Sequence, residues 1–359
     1  MGADGRLKVA VLFGGRSVEH EVSIVSARSI MAALDPERFE AVPVGISKTG
    51  TWLTPEETEA FLRRSAGKYQ DALTDEDRRG LLARPQALEV LTQVDVVFPM
   101  VHGTNGEDGT LQGLLELARV PYVGAGVTAS ALGMDKALQK VVFRAAGIPV
   151  ADWITVLRSR WEQDARPVLR EVEERIGYPC FVKPANGGSS VGVSKVRSRE
   201  DMEEAVAEAG RYDRKILVER AVQGREIECS VLGNDDPEAS PLGEVVPSHE
   251  FYDYAAKYLD DSTQIIVPTT VPEEAERRIR ELAVAAFRAI DCAGMARVDF
   301  FLQDDGEALV NEINTIPGFT SISQYPKLWE AAGLPYRDLL TRLIELALER
   351  FHEGEASGG

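Results

Sequence analysis

Cysteine is scarce in this sequence, and its placement excludes two classes of protein. The 359 residues contain only three cysteines, Cys180, Cys229 and Cys292, which lie far apart and are each embedded in apolar sequence. An odd number of widely spaced cysteines argues against a disulfide framework and against a zinc cluster. We therefore expect all three to be small residues of the hydrophobic core.

An excess of basic residues and long apolar runs are lacking as well. The formal net charge of −18 disfavours nucleic acid and anionic membranes as partners, because affinity for either depends on basic patches. No stretch approaches the ~18 uninterrupted apolar residues of a membrane helix, and residues 1–8 have no apolar core of a secretion signal. We expect a cytoplasmic protein without membrane or nucleic-acid partners, in which an anionic substrate would need a locally basic pocket.

The apolar residues that are present predict a globular α/β protein. They make up 44% of the chain, enough for roughly two or three domains with cores of their own. The run Lys8–Phe13 ends at Gly14-Gly15, and a helical pattern then reaches Leu34, which predicts a strand, a glycine turn and a helix. Further strands are predicted at residues 41–46, 94–98 and 122–123. Strands that alternate with helices in this way indicate a doubly wound parallel sheet.

The pattern changes after residue 126 and predicts two more units. One helix is expected over residues 128–146, and a pair of strands should flank the glycine-rich turn of residues 187–192. A third unit, of α+β type, should begin near Ile216. The predicted boundaries enclose an N-terminal α/β domain at 1–127, a central subdomain at 128–215, a C-terminal subdomain at 216–352 and a disordered tail at 353–359.

The most informative local pattern is an acidic β-hairpin near the C-terminal end. The runs 297–302 and 308–314 read as strands on either side of an acidic turn, and Asp-Gly is a strong hairpin signal. We take Asp305 and Gly306 as the two turn residues and count outward. This register places two pairs of polar residues on one face of the hairpin, namely Asp299 opposite Glu312 and Arg297 opposite Asn314.

Two facing carboxylates at this position favour a metal site. Like charges directly across a strand pair repel, so Asp299 and Glu312 imply either a solvated edge or a cation between them. Two carboxylates and one amide suit magnesium, which prefers oxygen ligands and shares its coordination shell with water and phosphate. The alternative is an exposed acidic hairpin, although the apolar residues Phe300, Phe301 and Ile313 argue against complete exposure.

Phosphate-binding features exist, although two common nucleotide motifs are missing. Neither a G-x-x-x-x-G-K-[ST] string nor a G-x-G-x-x-G strand-to-helix turn occurs, which excludes a P-loop protein and a simple dinucleotide binder. Lys183 and the glycine-rich turn after it offer a point charge and backbone N–H groups to anionic oxygens. Lys136 and Lys257 are further candidate phosphate ligands, and the segments ending at Glu219 and Glu226 could contact a purine and ribose hydroxyls. The alternatives are an ordinary glycine hairpin and solvated lysines.

Taken in order, these motifs resemble the ATP-grasp superfamily, and one string is similar to the D-alanine–D-alanine ligase family within it. That string is His102-Gly-Thr-Asn-Gly-Glu-Asp-Gly-Thr-Leu-Gln-Gly113. The other similar motifs are Gly14-Gly15-Arg-Ser-Val-Glu19-His-Glu21-Val-Ser23, Gly133-Met-Asp-Lys136, Val182-Lys183-Pro with Gly188-Ser-Ser-Val-Gly192, Phe251-Tyr-Asp-Tyr-x-x-Lys257-Tyr258, and Asn311-Glu-Ile-Asn314-Thr-x-Pro-Gly318. Together they span nearly the whole chain. The resemblance implies an N-terminal doubly wound domain followed by a two-subdomain ATP-grasp fold.

The resemblance also implies a reaction and its cofactors. Two D-alanines would be joined through an acyl phosphate, with conversion of ATP to ADP and phosphate, to supply peptidoglycan synthesis. Two Mg²⁺ ions, with Mn²⁺ as a substitute, would be held by Asp299 and Glu312 and by Glu312 and Asn314. The residues that the resemblance assigns to ATP are Lys136, Lys183, Glu219, Glu226, Lys257 and Asn311.

Further residues receive roles in catalysis and substrate binding from the same resemblance. The catalytic residues are Glu19, Ser189, Tyr258, Arg297 and Gly318. The substrate-binding residues are His102, Ser321 and Ser323. Glu19 would bind the ammonium of the first D-alanine and connect through Ser189 to Tyr258, whereas Arg297 and Gly318 would face the reacting oxygens. Simpler readings are a favourable helix-dipole charge for Glu19 and a counter-ion of Asp299 for Arg297.

Substrate choice and assembly are implied less directly. Residues 251–258 follow the dipeptide-forming pattern of the family, which predicts D-alanine rather than D-lactate as the second substrate. The competing functions are another ATP-grasp ligase, which would join a different carboxylate to a different amine or hydroxyl, and a nucleotide-responsive binding protein without turnover. A homodimer formed through the N-terminal domain is implied by the resemblance alone.

Overall fold

Three β-sheets organise the described part of the chain, one in its N-terminal part and two in the remainder. The computed structural model describes residues 5–64, 85–246, 264–320 and 322–356. None of the helices in these ranges is long and apolar enough to cross a membrane. The predictions for Lys257, Tyr258 and Ser321 fall outside the described residues.

The N-terminal sheet is parallel, as predicted. Its strands are β1 (Leu7–Gly14), β2 (Phe39–Ile46) and β3 (Val96–Met100). They lie in the order β2-β1-β3, and Tyr122 adds a parallel bridge to Val97. The helical elements are α1 (His20–Ala33), α2 (Pro55–Arg64), α3 (Thr110–Leu117) and a 3₁₀ helix (Pro85–Thr92). Residues 9–13 are completely buried, as expected of a parallel strand that is covered on both faces.

Two helices replace the single helix predicted over residues 128–146. They are α4 (Val127–Met134) and α5 (Lys136–Ala145). Asp135 between them has extended backbone angles, and its carboxylate accepts hydrogen bonds from the backbone N–H groups of Ala137 and Leu138. This capping, together with an ion pair between Asp135 and Lys215, favours a new helix start over continuation of the first helix.

The central sheet is antiparallel and contains the predicted strand pair. Its strands are β4 (Trp153–Leu157), β5 (Cys180–Pro184), β6 (Ser194–Val196) and β7 (Lys215–Arg220), in the order β4-β7-β5-β6. The helical elements are α6 (Arg158–Gln163), α7 (Ala165–Arg175), a 3₁₀ helix (Arg199–Asp201) and α8 (Met202–Gly210). Strand β7 pairs with β4 and β5, so the predicted boundary between residues 215 and 216 falls inside a strand of the central sheet.

The C-terminal sheet holds the acidic hairpin. Its strands are β8 (Arg225–Gly233), β9 (Glu238–Val246), β10 (Gln264–Ile266), β11 (Gly294–Leu302) and β12 (Ala308–Asn314), in the order β10-β9-β8-β11-β12. Three helices accompany the sheet, namely α9 (Glu273–Ala289), α10 (Gln324–Ala331) and α11 (Tyr336–Ala356). Helix α11 is longer than predicted, since it includes residues 353–356, and it contributes Leu340 and Ile344 to the N-terminal core.

The three cysteines are core residues, as predicted. All three thiols are free and buried, with Cys180 in the core of the central sheet and Cys229 and Cys292 in the core of the C-terminal sheet. Burial raises the pKa of the Cys180 thiol to about 11 and the pKa of each of the other two to about 12. Such thiols stay protonated and unreactive at neutral pH.

Candidate active site

The hairpin formed by β11 and β12 has the predicted register at its acidic end. Asp299 lies opposite Glu312, and Arg297 lies opposite Asn314. These four residues are partly buried, whereas the intervening Val298 is completely buried. The alternation places the four polar side chains together on the face that points away from the sheet's own core.

The turn of this hairpin differs from the prediction. The loop contains three residues, 304–306, instead of two, and its last residue, Gly306, has a φ of +87°. Three-residue hairpin loops commonly place glycine in this left-handed position. A β-bulge between Asp299 and Phe300 then shifts the pairing by one residue, with Asn311 as the extra residue. The two irregularities cancel, so the register at Asp299 equals the one that the simpler turn predicted.

Basic side chains neutralise both hairpin carboxylates. The Arg297 guanidinium pairs with Asp299 through two contacts, Nε to Oδ1 at 2.7 Å and Nη2 to Oδ2 at 2.8 Å. Lys136 Nζ lies 2.9 Å from Glu312 Oε2. Burial opposes the charge of either basic group, but the neighbouring carboxylates outweigh it, so the pKa of Lys136 is raised and the pKa of Arg297 lies well above its ordinary value. The simpler reading of Arg297, as the counter-ion of Asp299, is therefore confirmed.

A third carboxylate, which the sequence interpretation missed, extends the acidic row. Glu228 on β8 lies opposite Asp299 across the β8–β11 pair, is only 7% exposed and places Oε2 3.1 Å from Arg297 Nε. Arg297 is thus held by two acids from neighbouring strands. Glu226 lies two residues away on the same face of β8, opposite Phe301. The role of Glu228 depends on the pairing of two strands that are distant in sequence, so no local pattern indicates it.

The donor set of the hairpin fits a divalent cation of the magnesium type. Two carboxylates, Asp299 and Glu312, face each other, and Asn314 donates from Nδ2 to Asp299 Oδ2 at 3.0 Å, so the amide lies beside them. Within residues 5–64, 85–246, 264–320 and 322–356, no group of three or more histidine, cysteine or acidic side chains is arranged to hold a metal by itself. A cation at the hairpin would complete its shell with water and phosphate oxygens, as Mg²⁺ commonly does.

The glycine-rich turn after β5 closes over Glu19. Ser189 Oγ donates to Glu19 Oε1 at 2.5 Å, and a Cβ at Gly188 would lie only 2.8 Å from Glu19 Oε2. Ser189 and Ser190 have φ values of +49° and +57°, a left-handed conformation that costs energy outside glycine. The contact predicted between Glu19 and Ser189 is therefore present, and the turn is held down on the buried carboxylate in a strained form.

Lys136 connects this turn to the acidic hairpin. Its Nζ donates to the carbonyl oxygen of Gly187 at 2.8 Å in addition to pairing with Glu312, and its backbone N–H donates to Ala185 O at 2.9 Å. Because Lys136 begins α5, the position of this helix fixes both contacts. The glycine-rich turn and the acidic face thus belong to one site.

Behind the turn lies a buried ion triad centred on Glu219. Lys183 Nζ lies 2.6 Å from Glu219 Oε2, and Lys140 Nζ pairs with Oε1. Glu219 is 4% exposed and Lys140 is completely buried. Burial acts to raise the pKa of Glu219, but the two lysines outweigh it and lower that pKa, while burial lowers the pKa of Lys140. The sequence interpretation missed Lys140, although it follows Lys136 by four residues and so shares its helix face.

His102 is buried in the loop that follows β3. Its side chain is 4% exposed, and Nδ1 lies 3.0 Å from the carbonyl oxygen of Ile316. Among the described residues Nε2 has no hydrogen-bond partner. Burial lowers the pKa of His102, although Glu19 opposes this effect, so the imidazole is neutral at neutral pH. Glu19 is thus close enough to influence the charge of His102, and the substrate-binding role of His102 stays a prediction.

Glu107 is a second residue whose role the sequence interpretation did not identify. Its carboxyl group accepts hydrogen bonds from the backbone N–H of Gly103 at 2.6 Å and of Ile316 at 3.2 Å. Burial and then the charge of Glu19 raise the pKa of Glu107 to about 8. Glu107 therefore carries a proton at neutral pH and adds no second negative charge beside Glu19.

Gly318 and Ser323 lie next to each other in the loop that leads to α10. A Cβ at Gly318 would lie 3.2 Å from Ser323 Oγ, and this hydroxyl accepts a hydrogen bond from the backbone N–H of Thr320 at 3.0 Å. Ser323 is also the N-cap residue of α10. The two predicted residues are therefore brought together, after β12 and close in sequence to the acidic face.

Comparison with known proteins identifies the family of this chain. The family models for the D-ala D-ala ligase N-terminus and C-terminus match residues 8–125 and 142–345. The chain is 51% identical over 362 residues to D-alanine–D-alanine ligase A from Chromobacterium violaceum, with 98% of each chain covered. It is also similar to the structure of the D-alanine-D-alanine ligase from Coxiella burnetii, with a TM-score of 0.80, 40% identity and coverage of 98% of this chain and 97% of that chain.

A relative that is named for a different second substrate is nearly as similar. The crystal structure of the VanG D-Ala:D-Ser ligase from Enterococcus faecalis matches with a TM-score of 0.79 and 36% identity, and 95% of this chain and 99% of that chain are covered. The two family models together span most of the chain. The chain therefore belongs to the D-alanine–D-alanine ligase family of the ATP-grasp superfamily.

Proposed function

We propose that this protein joins two D-alanines to D-alanyl-D-alanine, with conversion of ATP to ADP and phosphate, for the synthesis of peptidoglycan precursors. One observation carries the proposal: Lys136 contacts both Gly187 of the glycine-rich turn and Glu312 of the acidic face. Candidate phosphate-binding groups and candidate cation ligands therefore meet at one side chain. Family membership supports D-alanine as the substrate.

The first step forms an acyl phosphate. A carboxylate oxygen of the first D-alanine attacks the γ-phosphorus of ATP, the bond from that phosphorus to the bridging oxygen breaks, and ADP leaves. Because both reactants are anions, the step requires positive charge around the transferred group. Lys136, Lys183, Lys257 and Arg297 would supply it, and Glu219, Glu226 and Asn311 would contact the rest of the nucleotide. Mg²⁺ ions held by Asp299, Glu312 and Asn314, with Mn²⁺ as a substitute, neutralise phosphate charge when bound.

The first D-alanine would be oriented where the glycine-rich turn covers Glu19, a region that we call the lid end of the site. Glu19 would pair with its ammonium group, while the hydroxyl of Ser189 holds the Glu19 carboxylate in place. The proton on Glu107 keeps the local charge near Glu19 from doubling, and the neutral ring of His102 lies close by. Because Ser189 belongs to the glycine-rich turn, its hydrogen bond to Glu19 would form only when the turn is closed. Closure would therefore coincide with the correct position of Glu19. Closure also excludes water from the labile acyl phosphate.

The second step forms the peptide bond. The amine of the second D-alanine attacks the acyl carbon, a tetrahedral intermediate forms, and the carbon–oxygen bond to phosphate then breaks. The guanidinium of Arg297 and the backbone N–H of Gly318 would stabilise the negative oxygen of this intermediate. Ser323 and Ser321 would hold the carboxylate of the second D-alanine, and Tyr258 would complete the closed site. The amine must be unprotonated to attack, so activity should favour neutral to alkaline pH.

A substrate screen tests the proposal directly. The purified protein is supplied with ATP, Mg²⁺ and D-alanine, alone or with D-serine or D-lactate, and phosphate release and product mass are measured across pH. We expect D-alanyl-D-alanine as the main product, with little ester at mildly acidic pH. A mixed D-alanyl-D-serine product would instead match the activity for which the VanG D-Ala:D-Ser ligase is named. ATP binding without phosphate release for any of these substrates would indicate a binding protein without turnover.

The same proposal includes assembly and location. Family resemblance supports a homodimer formed through the N-terminal domain and a cytoplasmic setting, where ATP is available. Sedimentation equilibrium should give twice the mass of one chain. A single-chain mass across a wide concentration range would contradict the dimer without affecting the proposed reaction.

A further inference from the structure

Lys140 is a buried basic residue for which the proposed reaction has no use. Its side chain is completely inaccessible, and it lies on α5 one turn after Lys136. Within the described parts of the chain, its ion-pair partner is Glu219. A charged ammonium group is costly to bury unless an opposite charge compensates it, so this arrangement requires an explanation.

The two lysines on Glu219 differ in their access to a ligand. The Lys183 side chain is 12% exposed and stands at the end of β5, immediately before the glycine-rich turn. The Lys140 side chain is 0% exposed, so it cannot touch a nucleotide in this conformation. Each lysine occupies a different oxygen of the Glu219 carboxylate. Only Lys183 is placed to leave the carboxylate and contact a phosphate group.

Departure of Lys183 would create an electrostatic problem that Lys140 solves. Glu219 is 4% exposed, and removal of one partner from a buried ion pair is strongly unfavourable because an uncompensated charge remains. With Lys140 in place, Glu219 keeps one full counter-ion after Lys183 has turned away. Without Lys140, every phosphate contact made by Lys183 would leave a bare buried carboxylate.

We propose that Lys140 is a positioning residue for nucleotide binding, which stays paired with Glu219 and thereby releases Lys183 to the phosphate groups of ATP. This inference rests on the proposed function, in which Lys183 is a phosphate ligand. It predicts an effect that depends on the phosphates of the ligand and not on its base. A residue that merely stabilises the fold would have no such selectivity.

The test compares the binding of ADP and adenosine to the full-length protein by calorimetry. The ratio of the adenosine Kd to the ADP Kd measures the phosphate contribution, and contacts with the base cancel because both ligands carry the same base. We expect Lys140→Met to lower this ratio by about tenfold or more, the size expected for a hydrogen bond to a charged group, with little change in the adenosine Kd. The KM for ATP should rise by a similar factor while the KM for D-alanine stays constant.

A second substitution separates positioning from stability. In the double variant Lys140→Met/Glu219→Gln the carboxylate is gone, Lys183 is no longer retained, and the ratio should return toward the wild-type value. Lys215→Met is a matched control, because it breaks the ion pair with Asp135 at the start of the same helix and leaves Glu219 untouched. An unchanged ratio in Lys140→Met, or a fall in Lys215→Met of equal size, would overturn the inference. If Lys140→Met does not fold, a wild-type ratio in the double variant supports the inference and a lowered ratio contradicts it.

Failure of the inference can be distinguished from failure of the proposed function. Lys183→Met should lower the same ratio in an otherwise unchanged chain. If it does not, Lys183 is no phosphate ligand, and the proposed nucleotide site is wrong. If Lys183→Met lowers the ratio while Lys140→Met leaves it unchanged, only the role of Lys140 is wrong.

Discussion

The two ends of the active site treat their acidic residues differently. At the hairpin end, Asp299 and Glu312 are each paired with a basic side chain, Arg297 and Lys136, at 2.9 Å or less. At the lid end, Glu19 meets the hydroxyl of Ser189. Its neighbour Glu107 carries a proton instead of a counter-ion, because its pKa is raised to about 8.

This difference matches what each end would have to bind. Acids compensated by basic side chains can exchange those partners for metal ions, and the basic side chains can then bind phosphates, so the hairpin end suits a charged, changing set of ligands. At the lid end the proton on Glu107 removes one negative charge and leaves that of Glu19, and one carboxylate suffices for a single substrate ammonium. Substitutions should therefore cost most at the hairpin, where they leave unpaired charges, and less at the lid.

The largest effect is expected for Glu312→Gln. The substitution removes the carboxylate assigned to both cations and leaves Lys136 without its partner, so kcat should fall at least about 100-fold. The Mg²⁺ concentration needed for half-maximal rate should rise as well, which a metal titration measures. Glu307→Gln is the matched control, because Glu307 is exposed in the turn of the same hairpin. A fall in kcat of less than tenfold, or an equal fall in the control, would show that the hairpin does not take part in the reaction.

A smaller effect is expected for Ser189→Ala at the lid end. Loss of a hydrogen bond to a carboxylate should raise the KM for D-alanine by about tenfold to 100-fold, and some ATP should be hydrolysed without dipeptide formation. The ratio of phosphate released to dipeptide formed measures this uncoupling. Ser190→Ala serves as the control, since Ser190 lies in the same turn with a similar backbone conformation. Unchanged KM and coupling in Ser189→Ala would show that the contact with Glu19 has no role in closure.

The proton on Glu107 predicts a pH dependence of stability. Between about pH 4.5 and about pH 8 the folded chain holds a proton that the unfolded chain has lost, so this group destabilises the fold as pH rises through that window. The contribution of Glu107 to the slope of the unfolding free energy against pH is at most about 1.4 kcal/mol per pH unit, and Glu107→Gln removes this contribution. Urea unfolding of both proteins at several pH values gives the difference in slope. Parallel curves for the two proteins would mean that Glu107 is ionised in the folded state.

The same two regions show what the sequence could predict. The hairpin is local: its strands are joined by one turn, and alternation then fixes which side chains share a face. Even so, the turn has three loop residues rather than two, and the register at Asp299 was correct because the bulge at Asn311 compensates. The contact between Ser189 and Glu19 joins distant segments, and only the family resemblance predicted it.

Residues missed by the sequence interpretation share a physical cause. Lys140, Glu228 and Glu107 acquire their roles through burial and through contacts between segments that are distant in sequence. Helix periodicity places Lys140 on the face of Lys136, but neither composition nor periodicity identifies a partner that is distant in sequence. The same limit explains why the boundary predicted between residues 215 and 216 falls inside β7, a strand whose membership of the central sheet depends on pairing with β4 and β5. The fold class was predictable because alternating strands and helices are visible in the apolar pattern alone.

The smallest effect is expected for Glu21→Gln. This substitution distinguishes the role of Glu21 from that of Glu19, the other acid at the start of α1. Glu19 is 9% exposed and contacts Ser189, whereas Glu21 is exposed and forms an ion pair with Lys48. A surface pair in a first helical turn contributes less than about 1 kcal/mol, and salt screens it. Glu21→Gln should therefore lower stability slightly at low ionic strength and leave the KM for D-alanine unchanged, whereas Glu19→Gln should raise that KM strongly. Equal KM values in the two variants would reduce Glu19 to a helix-dipole charge, and the lid end of the site would then lack its substrate anchor.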